Sequence, residues 1–283
     1  MLKTEKGWWK MPFDNSLINM QTPGRVYALC KLLLLDSYTQ DKLMELLQPE
    51  SPEKTQAKSV YKLALDGGLI QLGNDKKVKL QVPEKDVIEP KRFEQYIVHL
   101  AFDDTRFIFG RFTAWVMSRG EKVLNETKEE LADQFFNQVS RNYTVNREFN
   151  STNILGWLTW ANYFGLGHTM NGVFVANPSR RIQSVVENDN DLPRGEFIPF
   201  KKFMNWLAIK CPELDGGKLN QEFNNQFLST QQLSFALSLG LRTLHDLNVI
   251  TLKYTRDVED IWYLQDISTH EIANQVTEIM VKG

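Results

Sequence analysis

Lys54, Lys58 and Lys62 recur every four residues, a spacing that lines three cations along one side of an α-helix. Ammonium groups in a row are suited to neutralising successive phosphates of a nucleic-acid duplex. Gln56 and Ser59, interleaved among them, carry donors and acceptors that can read base edges. A second basic group, Lys76, Lys77 and Lys79, follows the turn-forming residues Gly73, Asn74 and Asp75. Together they point to recognition of double-stranded DNA, with lysines positioning and polar side chains specifying. An isolated lysine stripe is more often a solvated face. The pairing of the stripe with a basic strand is what favours DNA.

Side chains suited to making and breaking bonds are dispersed. His99, His168, His245 and His270 have no neighbouring ligand at metal spacing. Asp103-Asp104 and Glu129-Glu130 are adjacent pairs, whose side chains diverge on a helix. Gly165 and Gly167 follow a helical stretch and enter a strand, the reverse of the order a dinucleotide site needs. A phosphate-loop lysine, a nucleophile elbow and a zinc-protease helix are all missing. The expectation is a non-enzymatic protein with no cofactor and no metal.

The elements that must hold the basic residues are legible between residues 21 and 82. Val26, Leu29, Cys30, Leu33 and Leu34 make one apolar stripe of a helix over 25–35. A short helix over 40–47 buries Leu43, Met44 and Leu47. Ser51 is a good N-cap, Pro52 suits the first helical position, and Gly67-Gly68 ends the third helix. Its inner side is Ala57, Val60, Leu63 and Ala64. Residues 69–72 and 77–80 then form a hairpin. Three helices followed by a basic hairpin read as a winged helix-turn-helix, whose last helix enters the major groove.

The same order recurs near 104–178 and 197–265 with poorer chemistry. A helix over 91–102 leads the middle copy, as a linker helix or a dimerisation element. Thr127 and Glu130 form a capping box. Asn171-Gly172 predicts a type I′ hairpin. The third helix of this copy carries no lysine or arginine and is apolar nearly all round, so Trp157, Trp160 and Tyr163 are candidates for a protein interface. Arg141 and Arg147 precede it as weak phosphate candidates. In the last copy, helices open at Ser229 and Ser238, and residues 249–253 and 261–264 pair as a hairpin. Arg242 is the one strongly basic side chain on its last helix. A terminal helix closes the chain.

The expected fold class is mainly α with small β-hairpins (α+β), built from tandem winged helix-turn-helix domains. The order is an N-terminal extension (1–20), a first winged-helix domain (21–85), a middle domain (86–180), a third domain (181–267) and a C-terminal helix (268–283). A net charge of −2 excludes a uniformly basic nucleic-acid coat but not a local basic face. Only two cysteines, Cys30 and Cys211, argue against a disulfide framework and for a reducing cytoplasm. No apolar run approaches the ~20 residues of a membrane helix, so no membrane contact is expected. The stretch Met20-Gln-Thr-Pro-Gly-Arg-Val-Tyr-Ala-Leu-Cys30, the chain size and the helix-rich body resemble the DpdG family of bacterial deazaguanine DNA-modification and defence clusters. That resemblance implies an accessory role in a DNA-processing complex, with a protein partner or self-association. The rival expectation is a protein-interaction scaffold, like the winged-helix subunits of chromosome-organising ATPase complexes.

Overall fold

A computed structural model of the protein describes residues 17–103, 107–139, 149–224, 230–268, 270 and 274–283. The fold is mainly helical with small antiparallel sheets. Two compact units divide the chain, Met1–Phe109 with Ala132–Trp160 and Gly110–Leu131 with Ala161–Gly283. Both are discontinuous in sequence.

The first unit opens with α1 (Pro23–Leu35), β1 (Tyr38–Thr39), α2 (Gln40–Leu47), α3 (Thr55–Asp66), β2 (Ile70–Leu72) and β3 (Lys77–Leu80). Pro23 lies in the first turn of α1, where a missing N–H breaks no helical bond. Val26, Leu29, Cys30 and Leu33 on that helix are buried, as their spacing requires. Thr39 caps α2 by accepting a hydrogen bond from the Lys42 N–H. The strands run in the order β1-β3-β2, with Tyr38 opposite Val78 and Ile70 opposite Leu80. The hairpin is thus extended by a strand from between the first two helices, at a place where the sequence shows only a break.

Then come α4 (Glu84–Ile88) and α5 (Pro90–Asp103). Phe93, Ile97 and Ala101 of α5 are fully buried, and the Phe93 ring centroid lies 5.2 Å from that of Tyr27. The apolar face of this helix is therefore covered within the unit. The chain continues through α6 (Ile108–Ser118), α7 (Lys128–Gln138) and α8 (Ser151–Tyr163). The capping box forms: Glu130 Oε2 accepts the Thr127 N–H at 2.8 Å, and Thr127 Oγ1 accepts the Glu130 N–H at 3.2 Å. Arg141 and Arg147 lie outside the described residues, as do residues 1–16 of the expected extension and Ser229.

In the second unit β4 (Gly167–Met170) and β5 (Val173–Ala176) pair around Asn171 and Gly172, whose φ values of 52° and 83° fit a type I′ turn. There follow α9 (Ser179–Asn188), β6 (Phe197–Pro199), α10 (Phe200–Lys210), α11 (Phe235–Asp246), β7 (Ile250–Lys253), β8 (Trp262–Tyr263), β9 (Gln275–Val276) and β10 (Glu278–Val281). Two expectations are corrected here. Strand β7 does not pair with β8; it pairs with β10, which also pairs with β6, while β8 pairs with β9. The expected C-terminal helix over 268–283 gives way to β9 and β10. The cause is a period of two: Ile279 and Val281 are buried and alternate with the more open Glu278 and Met280.

Ser229 lies outside the described residues, and Ser238 falls inside α11 instead of opening a helix. Ser234 is its N-cap, accepting the Leu237 N–H at 3.2 Å. Ser238 is buried and its Oγ accepts the Gln265 N–H at 2.9 Å. The same unit buries an ion pair, Arg181 Nε to Glu213 Oε1 at 3.0 Å, and Asp215, whose Oδ2 accepts the Ser234 N–H at 2.6 Å.

Candidate nucleic-acid interface

Helix α3 starts at Thr55, not at Pro52, and Lys54 stands just outside it in the left-handed region with φ 52°. A lysine in that conformation costs about 1–2 kcal/mol. Local hydrogen bonds offset it. Lys54 Nζ donates to the carbonyls of Gln48 and Pro49, at 2.6 and 3.0 Å. The Gln48 side chain, at the end of α2, accepts from the Gln56 and Ala57 N–H groups at 3.1 Å each. Gln48 thereby caps α3 in place of Ser51, and Lys54 leaves the stripe in which its spacing had placed it.

Ala57, Val60, Tyr61, Leu63 and Ala64 are the buried side of α3. Lys58 and Lys62 are exposed, and among the described residues neither has an ion-pair partner. At ~100° per residue, Gln56 lies ~120° around the axis from Lys62 and ~160° from Lys58. It is half-buried and sits beside the packed side. The expected neighbour of the lysines is therefore turned away from them. Ser59, ~60° from Lys62, stays on the lysine side and is half-buried.

The hairpin puts its lysines where the pattern predicts. Gly73 N–H donates to the Lys77 carbonyl at 2.8 Å, Lys76 N–H to the Gly73 carbonyl at 3.0 Å, and Asp75 Oδ1 accepts the Lys77 N–H at 3.1 Å. Lys76 takes the left-handed φ of 60° that the turn needs. Lys77 and Lys79 alternate with buried Val78, so both leave the same open face of β3, with Lys79 opposite Gln71. Residues 21–82 hold nine lysines and arginines against seven aspartates and glutamates, whereas the whole chain is net −2. The local balance is basic in an acidic molecule.

The position of α3 is fixed from behind by a residue that the periodicity does not reveal. Gln21 is 3% exposed; its Nε2 donates to the Ser59 carbonyl at 3.2 Å and its Oε1 accepts the Ile18 N–H at 3.0 Å. Trp160 Nε1 in turn donates to the Gln21 carbonyl at 2.7 Å, and Asn153 Nδ2 to the Leu17 carbonyl at 3.0 Å. A Cβ on Gly156 would come within 3.0 Å of the Ile18 backbone, so residues 17–21 lie directly on α8. Trp157 and Trp160 are buried and Tyr163 is half-buried. The interface assigned to Trp157 and Trp160 is corrected accordingly. Their indoles are covered inside the chain, where an N–H can reach a carbonyl.

The remaining candidates fall to structural roles. Arg242 is buried, its Nη2 donating to the Gln265 carbonyl and to Asn274 Oδ1, at 2.9 and 2.6 Å. Phosphate contact from that helix is therefore not available through Arg242. His245 Nδ1 accepts the Leu252 N–H, and His270 Nδ1 lies 2.6 Å from Asp246 Oδ2. Among the described residues no group of histidine, cysteine and carboxylate side chains is arranged to hold a metal, and no helix is long and apolar enough to cross a membrane.

Three helices and a lysine-bearing hairpin thus make one locally basic surface. The sequence model of the DpdG-like family matches residues 15–258, and the chain belongs to that family. No curated protein and no solved structure matches it.

Proposed function

We propose that this chain is a cytoplasmic, non-catalytic DNA-binding protein whose residues 21–82 act as a winged helix, serving a bacterial DNA-modification or defence complex. Helix α3 enters the major groove and the β2–β3 hairpin lies along the adjacent backbone. The observation that carries this reading is the pair of exposed cations Lys58 and Lys62 on the outer face of α3, in the same unit as Lys76, Lys77 and Lys79. Family membership supports it, since DpdG proteins belong to clusters that act on DNA. The scaffold alternative loses its main support with the burial of Trp157 and Trp160.

The test is the salt dependence of duplex binding by the full chain. Every phosphate that a variant no longer neutralises should flatten the slope of log K against log salt by about 0.9. Lys58→Ala with Lys62→Ala should flatten it by about 1.8, and removal of Lys76, Lys77 and Lys79 by about 2.7. Lys54→Ala should leave the slope unchanged, because its ammonium is engaged by two carbonyls. Salt-insensitive binding by the parent, or equal slopes in all variants, would overturn the reading.

A further inference from the structure

If α3 enters the groove, the residue that faces base edges is set by the geometry of its first turn. Thr55 is the first helical residue and is exposed. Around the axis it lies ~20° from Lys62, ~40° from Ser59 and ~60° from Lys58, so these four share one ridge. Gln56 lies ~100° from Thr55, off that ridge and beside the packed side. Among the described residues neither the Thr55 nor the Ser59 hydroxyl has a hydrogen-bond partner, so both are open to a ligand.

Two neighbours narrow what Thr55 can meet. The Gln48 side-chain Oε1 accepts the Gln56 and Ala57 N–H groups, so the helix end does not offer those donors to a phosphate. Lys54 is folded back onto the Gln48 and Pro49 carbonyls, so no ammonium crowds the approach to Thr55. What remains at the tip is a methyl and a hydroxyl. In the major groove only thymine presents a methyl, and adenine beside it presents N7 and N6.

We infer that Thr55 sets the base preference of this protein, packing its methyl on thymine and turning its hydroxyl to the same A·T pair, with Gln56 taking no part. This rests on the DNA-binding reading above, and the experiment separates the two. Full-length parent, Thr55→Ser, Thr55→Val and Gln56→Ala proteins are each used to select from a pool of randomised duplexes, with salt slopes measured alongside. The parent should enrich an A·T pair at one position. Thr55→Ser should weaken that preference by about fivefold and Thr55→Val should also degrade it, both with the parental salt slope, as expected when base readout is impaired and phosphate neutralisation is intact. Gln56→Ala should select the parental site. An unchanged site in both Thr55 variants, a changed site in Gln56→Ala, or salt-sensitive parental binding without base preference would each overturn the inference and leave DNA binding standing. No salt-sensitive binding by the parent would overturn both.

Discussion

Replacing Gln21 with methionine tests whether α3 is held from behind as the structure shows. Methionine keeps the length and nearly the volume of the side chain and deletes only its amide. The Ile18 N–H then loses its acceptor, while the Ser59 carbonyl loses a second donor and keeps the helical one from the Leu63 N–H. The Trp160 bond to the carbonyl of residue 21 involves only the backbone there and survives. A buried polar group left without a partner costs about 1–3 kcal/mol. Only the part-buried Ile18 N–H is stranded, so the change should cost about 1–3 kcal/mol. Because the chain has two units, a single melting temperature is the wrong readout. Hydrogen exchange resolved to peptides from α3 is the right one. At about 1.4 kcal/mol per tenfold, exchange limited by local opening should accelerate roughly 5- to 150-fold across Thr55–Asp66. Peptides from α11, in the other unit, should exchange as in the parent. An acceleration in α3 below about threefold would refute the assignment of Gln21 as its anchor.

Two further outcomes follow from the second unit. Burial pushes the Asp215 carboxyl up to about 6, against the opposing pull of its Ser234 hydrogen bonds. The native state therefore holds a proton that the unfolded chain releases near 3.8, and stability falls as pH rises through that window, by at most about 3 kcal/mol; Asp215→Asn should remove that component of the slope in urea denaturation between pH 4 and 7, and an unchanged slope would contradict it. Arg181→Met strands Glu213, which is fully buried, and should destabilise by about 3–5 kcal/mol. Adding Glu213→Leu should recover most of the loss, and a double variant as unstable as the single one would show that the ion pair is not the cause.

How far the sequence could be read depends on the range of each interaction. The helices α1 to α3 and the hairpin after them follow from i, i+3, i+4 spacing, glycine stops and a turn, all signals within a few residues. Spacing alone misplaces Lys54 because Ser51-Pro52-Glu53 reads as a good helix start, whereas the Gln48 side chain moves the start to Thr55. Gln56 is misplaced for a simpler reason: adjacency in sequence is a turn of ~100° on a helix, and angular bookkeeping from the buried face singles out Thr55 instead. No local pattern announces Gln21, whose Trp160 partner lies 139 residues away. The same holds for β10. Its alternation of Glu278, Ile279, Met280 and Val281 fits a strand, but which strands it joins depends on residues far upstream.

That strand also imposes an order of events. Strands β6 and β7 are not neighbours; each is completed by β10, which comes after both in the chain. During synthesis at about 5–20 residues per second, β6 waits several seconds for its partner. For that interval the unit presents two open strand edges, the arrangement most prone to pairing with another chain. By the same logic, a nascent chain halted before Glu278 offers a ready slot for that strand supplied in trans.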